Sequence, residues 1–581
     1  MVTPRTIFFV SALLVCFVLS GGTSRADTLV TLNAIDSGWY RPSGLHDAAN
    51  DNYIAGKVSS AGELRNFVVF DLSSVRGTIK SATLRLLNPS LGYQSVDPFE
   101  EFTVFDVSTP IAELMASNDT RTDIHFDLGT GTSYGSAQVF DPSDNFVVAV
   151  ALNASAISNL NGTRGQFAFG GALTSLRGQD FEYIFGGSDS ASLRQLVLTV
   201  ASPLLISEFR LSGPQGGADE FIELYNNDIA PLTVSTTDGS PGWALVSSDG
   251  VTRFVIPNGT TIPVRGHYLI TNNSPAGYSL ADYGGPNVSL GDGNFAGDIP
   301  SDLGLALFQS ANQANYTLAN RLDAVGFSGV VDANFREGVG LSPATGVGTT
   351  QQFSFARKLA SGPPQDTDDN SADFTLVAVD QGGGAKLGAP GPENLASPVQ
   401  RNASVKASFI DPGCAGTGAP TTACARARDL TPVANGTNGT LSVRRRFRNN
   451  TGLPITRLRF RAVDMTAGAA PAGTADLRLI TSADIPAATL SGGGTVFIRG
   501  LTLETPPAQP IGGGLNASVS DNAITLASPL APGASVNVHF LLGVEQGGTF
   551  RIFLNVESLP GPTSPSVGKS EIKTGKLKRE K

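Results

Sequence analysis

Residues 219–227 read DEFIELYNN, and the interpretation of this stretch decides which fold the sequence predicts. In an extended strand, side chains alternate between two faces, so Glu223 shares a face with Phe221 while Glu220 shares one with Ile222. At least one acid must therefore lie beside apolar neighbours, or a β-bulge must interrupt the alternation. A carboxylate hydrogen-bonded to a neighbouring loop satisfies this pattern without catalysis. We therefore interpret Asp219, Glu220 and Glu223 as parts of a β-strand rather than as a catalytic acid and base.

The composition around this stretch is typical of short strands and turns. Charged residues make up 15% of the chain, against about 25% in an average protein. The chain has 67 glycines and abundant Ser, Thr and Asn, which favour turns over helices. With 581 residues, we predict an all-β protein with three β-sandwich domains in series, one jelly-roll-like and two immunoglobulin-like.

The first residues predict export from the cell. Arg5 precedes an apolar run at 7–19, and the small residue Ser24 stands two positions before Ala26. This order is that of a secretory signal peptide cleaved after Ala26. The run is shorter than the about 20 residues that span a bilayer. We expect a secreted or cell-surface protein without a transmembrane segment in the mature chain.

The net charge argues against a nucleic-acid partner. It is −10 for the whole chain and becomes more negative when the two arginines of residues 1–26 are removed. Affinity for nucleic acid rests largely on contacts of Lys and Arg with phosphates. We therefore expect no nucleic acid among the partners.

Residues 27–201 contain short alternating runs such as FVVFDL (67–72), SATLRLLN (81–88) and RQLVLTVA (194–201), separated by turns. Strands at this spacing predict a sandwich or jelly roll, with one short helix at 110–117. The segments at 65–73 and 77–86, with their F-D-L-S and S-A-T-L-R-L runs, resemble the DNRLRE family of extracellular β-sandwich modules. The resemblance implies a jelly-roll module related to carbohydrate-binding domains.

Residues 203–380 resemble a lamin tail domain of the bacterial secreted type. The matching residues are Ile206, Ser207, Glu208, the stretch 219–226, Gly242, Trp243, Leu245 and the G-x-Y-L-I strand at 266–270. The resemblance implies an immunoglobulin-like sandwich. A linker rich in Gly and Pro follows at 381–398, then a third block at 399–560 that we interpret as another immunoglobulin-like sandwich. The basic tail at 561–581 is predicted to be disordered.

The third block contains alternating arginines on two predicted strands. We interpret RNNTGLP (448–454) as the turn of a hairpin between these strands. A regular hairpin would place six arginines on one outer face, where they could bind an anionic polysaccharide or pair with neighbouring acids. The six residues are Arg444, Arg446, Arg448, Arg457, Arg459 and Arg461.

Three further features suggest sites. The run QDTDDNSAD places Asp366, Asp368, Asn370 and Asp373 at spacings that suit calcium or an Asx-rich turn before a strand. Trp39 and Tyr40 are aromatic side chains that could stack on sugars. Cys414 and Cys424 are predicted to form a disulfide that closes a small loop, because exported proteins meet an oxidising environment.

Taken together, the sequence predicts a secreted, non-catalytic binding or adhesion protein, with carbohydrate as the first ligand class to test. One alternative is an accessory part of a secreted hydrolase or nuclease, which would require a catalytic block and would be favoured by a cluster of His with Asp or Glu in the fold. The other alternative is a structural spacer stiffened by calcium. Function inferred from sandwich domains alone is analogy, because this architecture supports many activities.

Overall fold

A computed structural model describes residues 27–58, 62–141, 145–283, 290–345, 351–359, 364–399, 404–412, 426–468, 473–504, 508–521, 528–560 and 575–576. The predicted signal peptide, the predicted disulfide between Cys414 and Cys424, and nearly all of the predicted tail lie outside these ranges. Across the described ranges the chain is almost entirely β, which confirms the predicted fold class. None of the helices found there has the length and apolar character needed to cross a membrane.

The first sandwich comprises two antiparallel sheets. One sheet has the order β1-β11-β5-β8, and the other has the order β10-β3-β4-β9-β6-β7, with β2 paired to β4. Burial alternates along β5, as the sequence pattern predicts. The elements are β1 (Thr28–Asn33), β2 (Asp36–Tyr40), β3 (Ala55–Lys57), β4 (Glu63–Asp71), β5 (Ile79–Asn88), β6 (Phe99–Phe105), α1 (Ile111–Leu114), α2 (Thr122–Asp127), β7 (Ser133–Phe140), β8 (Phe146–Ala151), α3 (Ala154–Leu160), β9 (Gln166–Leu173), β10 (Glu182–Ile184) and β11 (Arg194–Val200).

The middle sandwich is organised around the strand that contains Glu223. Its larger sheet has the order β19-β18-β13-β12-β22-β23-β24, and a four-stranded sheet β16-β15-β20-β21 packs against it. The elements are β12 (Leu204–Arg210), β13 (Phe221–Asn226), β14 (Leu232–Thr233), β15 (Gly242–Ser247), β16 (Thr252–Pro257), β17 (Thr261–Ile262), β18 (His267–Asn272), β19 (Gly293–Phe295), β20 (Leu305–Phe308), β21 (Arg321–Val325), β22 (Phe353–Arg357), α4 (Asn370–Asp373), β23 (Phe374–Ala378) and β24 (Lys386–Leu387).

The third sandwich also has two main sheets. One contains β25-β27-β34-β31-β30, with β26 and β29 attached, and the other has the order β32-β33-β28-β36. The elements are β25 (Val405–Ser408), β26 (Arg426–Asp429), β27 (Thr440–Asn449), β28 (Arg457–Met465), β29 (Asp476–Ile480), β30 (Ile485–Thr489), β31 (Thr495–Gly500), β32 (Thr502–Leu503), β33 (Ser518–Ser520), β34 (Ser535–Gln546), β35 (Thr549–Phe550), β36 (Ile552–Leu559) and β37 (Gly575–Lys576).

The predicted hairpin around 448–454 is wrong. The strand β27 pairs with β34, β25 and β26, whereas β28 pairs with β36 and β33 in the opposite sheet. The connection therefore crosses from one sheet to the other. Phe447 and Phe460 meet in the core between the sheets, with ring centroids 4.7 Å apart. Local alternation in the sequence indicates two strands and a turn, but it cannot show whether the strands pair or face each other across a core.

The first and middle sandwiches meet at the end of the first sandwich where β5 begins. Thr78 donates a hydrogen bond to the carbonyl of Asn227 (2.9 Å), and Arg164 pairs with Asp228 (2.8 Å). Lys80 lies 3.7 Å from Asp366 of the middle sandwich. These contacts leave the opposite end of the first sandwich away from the junction.

The segment predicted as a linker packs between the middle and third sandwiches. Lys386–Leu387 forms the strand β24 beside β23, and the amide of Ala389 donates to the carbonyl of Leu515 in the third sandwich (3.1 Å). Ala389 and Glu393 are fully buried. The Gly and Pro residues of this segment therefore belong to a close contact between domains.

The core of the third sandwich provides a test of the packing around Phe460. Phe460→Ala removes a fully buried ring that contacts Phe447 and Phe540, and we expect a loss of about 3–5 kcal/mol in unfolding free energy. Phe497→Ala, at a phenylalanine that is 45% exposed in the same sandwich, is the matched control and should cost little. Urea unfolding followed by fluorescence and circular dichroism measures both; equal losses would contradict the placement of Phe460 in the core.

Candidate functional site

The acids of the opening stretch are all buried and held by protein groups. Asp219 pairs with the guanidinium of Arg210 and accepts a hydrogen bond from the amide of Ser279 (2.8 Å). Glu220 accepts hydrogen bonds from the Asn272 side chain (2.6 Å) and the Ile299 amide (2.8 Å). Burial raises the pKa of Glu220 to about 8. The predicted strand is confirmed at Phe221–Asn226 and contains Glu223, whereas Asp219 and Glu220 precede it. All three acids are part of the interior.

A β-bulge explains how Glu223 fits into this strand. The register between β12 and β13 shifts between Ile206 and Glu208, and the hydroxyl of Ser207 donates to the Glu223 carboxylate. The other Glu223 carboxylate oxygen accepts from the amide of Glu393 (2.6 Å). The bulge thus lies in the neighbouring strand, where it places a hydroxyl against the acid.

A histidine lies between two glutamates at the junction of the middle and third sandwiches. The Nδ1 atom of His267 is 3.2 Å from Glu223 Oε1, and its Nε2 atom is 2.9 Å from Glu393 Oε2. A cluster of this kind would favour the enzyme alternative. All three side chains are buried, so a substrate has no open face from which to reach the imidazole.

Two arginines of the third sandwich complete this junction. Arg459 pairs with Glu393 and with Glu557 (2.9 Å). Arg461 pairs with Glu557 (3.0 Å) and Glu393 (3.1 Å). Burial alone would raise the pKa of Glu557, but Arg461 and Arg459 outweigh it and hold that pKa below its ordinary value. The arginines therefore neutralise carboxylates that would otherwise be very costly to bury.

Glu208 adds a further buried carboxylate to the same junction. Its oxygens accept hydrogen bonds from the Gly391 amide (3.0 Å) and the Asn516 side chain (3.1 Å). Burial and the nearby Glu223 raise the pKa of Glu208 to about 7, while Arg461 opposes the rise. Side chains from the middle sandwich, the predicted linker and the third sandwich thus share one polar network.

The expectation of six arginines on one outer face is wrong. Arg459 and Arg461 are 4% and 2% exposed and point into the junction, because the outer face of β28 is covered by the middle sandwich. Arg457 is half-buried and contacts the Ala396 carbonyl (3.4 Å). The other three lie on β27, in the opposite sheet, where Arg444 is buried, Arg446 is half-buried and Arg448 is exposed.

The predicted calcium residues are engaged by protein groups. Asp366 lies beside Arg357 (3.5 Å) and Lys80 (3.7 Å). Asn370 accepts hydrogen bonds from the amides of Gly326 and Glu337, both at 3.0 Å. Asp373 accepts from Thr367 (2.8 Å). Asp368 has a left-handed backbone, with φ of 58°. The stretch forms a turn and the short helix α4, which is the structural alternative for this sequence.

The two predicted sugar-stacking aromatics differ in exposure. Tyr40 is fully buried, and its hydroxyl donates to the carbonyl of Leu114 (2.9 Å), so it cannot contact a ligand. Its ring stacks on His46, with centroids 4.7 Å apart. Trp39 is half-buried, and the guanidinium of Arg41 lies 5.4 Å from its ring centroid. Trp39 and Tyr40 differ in exposure because adjacent residues in β2 point to opposite faces of the strand.

An exposed apolar surface lies at the end of the first sandwich opposite the junction. We call it the distal end and define it by five side chains: Leu91 (73% exposed), Val96 (75%), Phe140 (47%), Phe146 (59%) and Phe181 (56%). Phe146 pairs with Asn88 at the end of β5 and Phe140 pairs with Phe99 at the start of β6, so both lie at this end of the sandwich. The Gly186 amide donates a hydrogen bond to the Gly92 carbonyl (3.0 Å), which joins the segment that follows Phe181 to the segment that follows Leu91.

Within the described ranges, three groups of acidic or histidine side chains bring ligand atoms within 4.8 Å of one another. The groups are Glu223 with His267 and Glu393, Asp323 with Glu337 and Asp366, and Asp97 with Glu100 and Glu182. The first contacts Arg459 and Arg461, and the second contacts Arg321 and Arg357. The third lies at the distal end and pairs only at its edge with the exposed Arg177, which contacts Asp97 (3.0 Å).

The sequence did not indicate this third group. Asp97 and Glu100 are more than 80 positions from Glu182 along the chain, and no local spacing connects them. A signal for the junction was available, because Glu557 is the one charged residue of the strand Ile552–Leu559 and Glu393 is the one acid in the Gly/Pro segment from 381 to 398.

Comparisons with known proteins do not assign a family. No family model matches the chain, and no curated protein matches it. A solved structure of a β-glucuronidase from Ruminococcus gnavus, in complex with uronic deoxynojirimycin, aligns with 9% identity and a TM-score of 0.15. The alignment covers 52% of this chain and 46% of that chain, so it spans less than half of the glucuronidase. The resemblances to DNRLRE and lamin tail domains stay predictions from sequence.

The junction network predicts a large effect for one arginine. Arg461→Met leaves Glu557 and Glu393 buried with one cation fewer, and we expect a loss of about 3–5 kcal/mol in unfolding free energy. Arg448→Met, at an exposed arginine of the same sandwich, is the control and should change stability by less than about 0.5 kcal/mol. Calorimetry of both variants checks this; similar melting temperatures for the two would refute the network's role.

The raised pKa of Glu220 predicts a pH dependence of stability. Its folded-state pKa, about 8, exceeds its ordinary value of 4.5, so the native state binds the proton more tightly than the unfolded state. Unfolding free energy should therefore fall as pH rises from about 4.5 to about 8. Glu220→Gln should flatten this decline, and Glu101→Gln, at a partly exposed side chain, should not. Denaturant titrations at pH 5, 6, 7 and 8 measure it; parallel curves would exclude Glu220 as the cause.

Proposed function

We propose that the protein is a non-catalytic extracellular binding protein whose ligand surface is the distal end of the first sandwich. The observation that carries this proposal is the concentration of exposed apolar side chains at the end farthest from the domain junction. Exposed apolar side chains grouped in this way commonly mark a binding site. The buried junctions support the proposal, because a rigid scaffold presents loops at a defined position.

The ligand class proposed is a polysaccharide. Phe140, Phe146 and Phe181 offer ring faces that can pack against the C–H faces of sugar rings. Arg177, which is 68% exposed, and Asp180, which pairs with Lys57 (3.1 Å), supply charged groups for sugar hydroxyls nearby. The sequence resemblance of residues 27–201 to a family related to carbohydrate-binding domains points to the same ligand class.

Secretion to the extracellular space or the cell surface is part of the proposal. It rests on the signal-peptide pattern of residues 1–26 and on the low charge and turn-rich composition of the chain. The clustered His267, which would favour the enzyme alternative, is buried between Glu223 and Glu393. We therefore favour a binding role over a hydrolase or nuclease accessory role.

A glycan array and pull-down with insoluble polysaccharides test the proposal on the full-length protein. The double variant Phe146→Ala, Phe181→Ala should lose affinity by about tenfold or more, because each stacked ring contributes about 0.5–1.5 kcal/mol. Phe497→Ala, at an exposed phenylalanine of the third sandwich, is the matched control and should bind as the unaltered protein does. Circular dichroism confirms folding. No binding by the folded protein, or equal loss in the control, would refute the proposal.

A further inference from the structure

A buried group of carboxylates lies beneath the distal end of the first sandwich. Glu100 is fully buried, Glu182 is 1% exposed and Asp97 is 9% exposed. One ligand oxygen from each lies within 4.8 Å of the others. Asp97 precedes β6, Glu100 lies within β6 and Glu182 begins β10, so the group joins two segments that are distant in sequence.

The hydrogen-bond donors to the two glutamates are neutral. Glu100 accepts from the hydroxyls of Ser95 (2.6 Å) and Ser175. Glu182 Oε2 accepts from the amides of Arg177 and Gly178, both at 3.1 Å. Ionised carboxylates buried with neutral donors alone are costly, so such groups are normally paired with cations.

The basic side chains nearby do not neutralise the interior of the group. Arg177 contacts Asp97 (3.0 Å) but is 68% exposed, and Lys57 turns to Asp180 (3.1 Å) and the Gly178 carbonyl (2.8 Å). In the described part of the chain, neither Glu100 nor Glu182 has a salt-bridge partner. Three carboxylates and one arginine leave two negative charges, which a divalent cation would balance.

An unsatisfied oxygen independently indicates a ligand. Glu182 Oε1 is buried and has no hydrogen-bond partner among the described residues. A buried acceptor left without a partner costs free energy, and native structures usually satisfy such atoms. A metal ion bound by this oxygen would remove the penalty.

We propose that Asp97, Glu100 and Glu182 form a calcium site. All three side chains offer hard oxygen ligands, which calcium prefers at 2.3–2.6 Å in six- to eight-coordinate shells. Two ligands placed on opposite sides of such an ion lie about 5 Å apart, and the observed ligand oxygens lie within that span. The site differs from the stretch 366–373, where Arg357 and Lys80 already provide the positive charge.

The proposed calcium site would stabilise the structure of the distal end. Asp97 follows the segment that carries Leu91 and Val96, and Glu182 follows Phe181 directly. A bound ion would therefore tie together the two segments that present these apolar side chains. The metal site stands independently of the proposed function, whereas its effect on ligand binding rests on that function.

Isothermal titration of the full-length protein, stripped with EGTA, tests the site with calcium alone. We expect saturable binding, a rise in melting temperature with calcium, and a loss of affinity of about tenfold or more in Glu182→Gln and Glu100→Gln. Glu101→Gln removes the neighbouring acid of β6, whose side chain accepts from Ser136 (2.8 Å), and should bind calcium normally. No calcium binding by the folded protein, or equal loss in Glu101→Gln, would overturn the proposal.

Two measurements keep the test decisive if the glutamate variants fold poorly. Asp97→Asn, at the edge of the group, should weaken calcium binding while the protein remains folded. Terbium should give luminescence sensitised by Tyr93, whose hydroxyl contacts the Asp97 carbonyl (2.6 Å), and calcium should quench it.

Magnesium that binds as tightly as calcium would overturn the calcium assignment. Normal calcium binding without polysaccharide binding would refute the proposed function and leave the metal site intact.

Discussion

The middle and third sandwiches depend on the ion pairs that Arg459 and Arg461 make with Glu393 and Glu557. Breaking a buried pair leaves a charge without a partner, which costs far more than a surface pair contributes. Because the glutamates and arginines come from different parts of the chain, neutral burial requires the domains to sit together. The orientation of the third sandwich is therefore set by electrostatics as well as by apolar packing.

The need to balance buried charge also distinguishes the acidic groups of the molecule from one another. Asp323, Glu337 and Asp366 are buried against Arg321 and Arg357, so their charge is balanced inside the protein. Among the described residues, the group at the distal end of the first sandwich has one cationic partner, the exposed Arg177 at its edge, and none at Glu100 or Glu182. The two groups differ in the placement of positive charge around them, which the spacing of acids along the sequence does not show.

Local patterns predicted the strands well and their partners poorly. The strand Phe221–Asn226 and the alternation of β5 follow directly from side-chain periodicity. The pairing of β27 and β28 did not, because an apolar side chain that faces inward looks the same in a hairpin and in two opposed sheets. That one error puts Arg459 and Arg461 on an outer face in the sequence-based prediction, whereas in the structure they lie at a buried junction. The prediction that Tyr40 could stack on a sugar is wrong for a similar reason, since the sequence cannot show which side of β2 is covered by α1.

The amino-acid sequence by itself determined the all-β class and the strand that contains Glu223, since these depend on periodicity and composition within short windows. Only the tertiary structure decided which charges are buried together and which apolar side chains remain exposed at the distal end. Both depend on contacts between residues far apart in the chain. A carboxylate has the same sequence signature whether an arginine, a backbone amide, a metal ion or water satisfies it, and only the folded surroundings distinguish these cases.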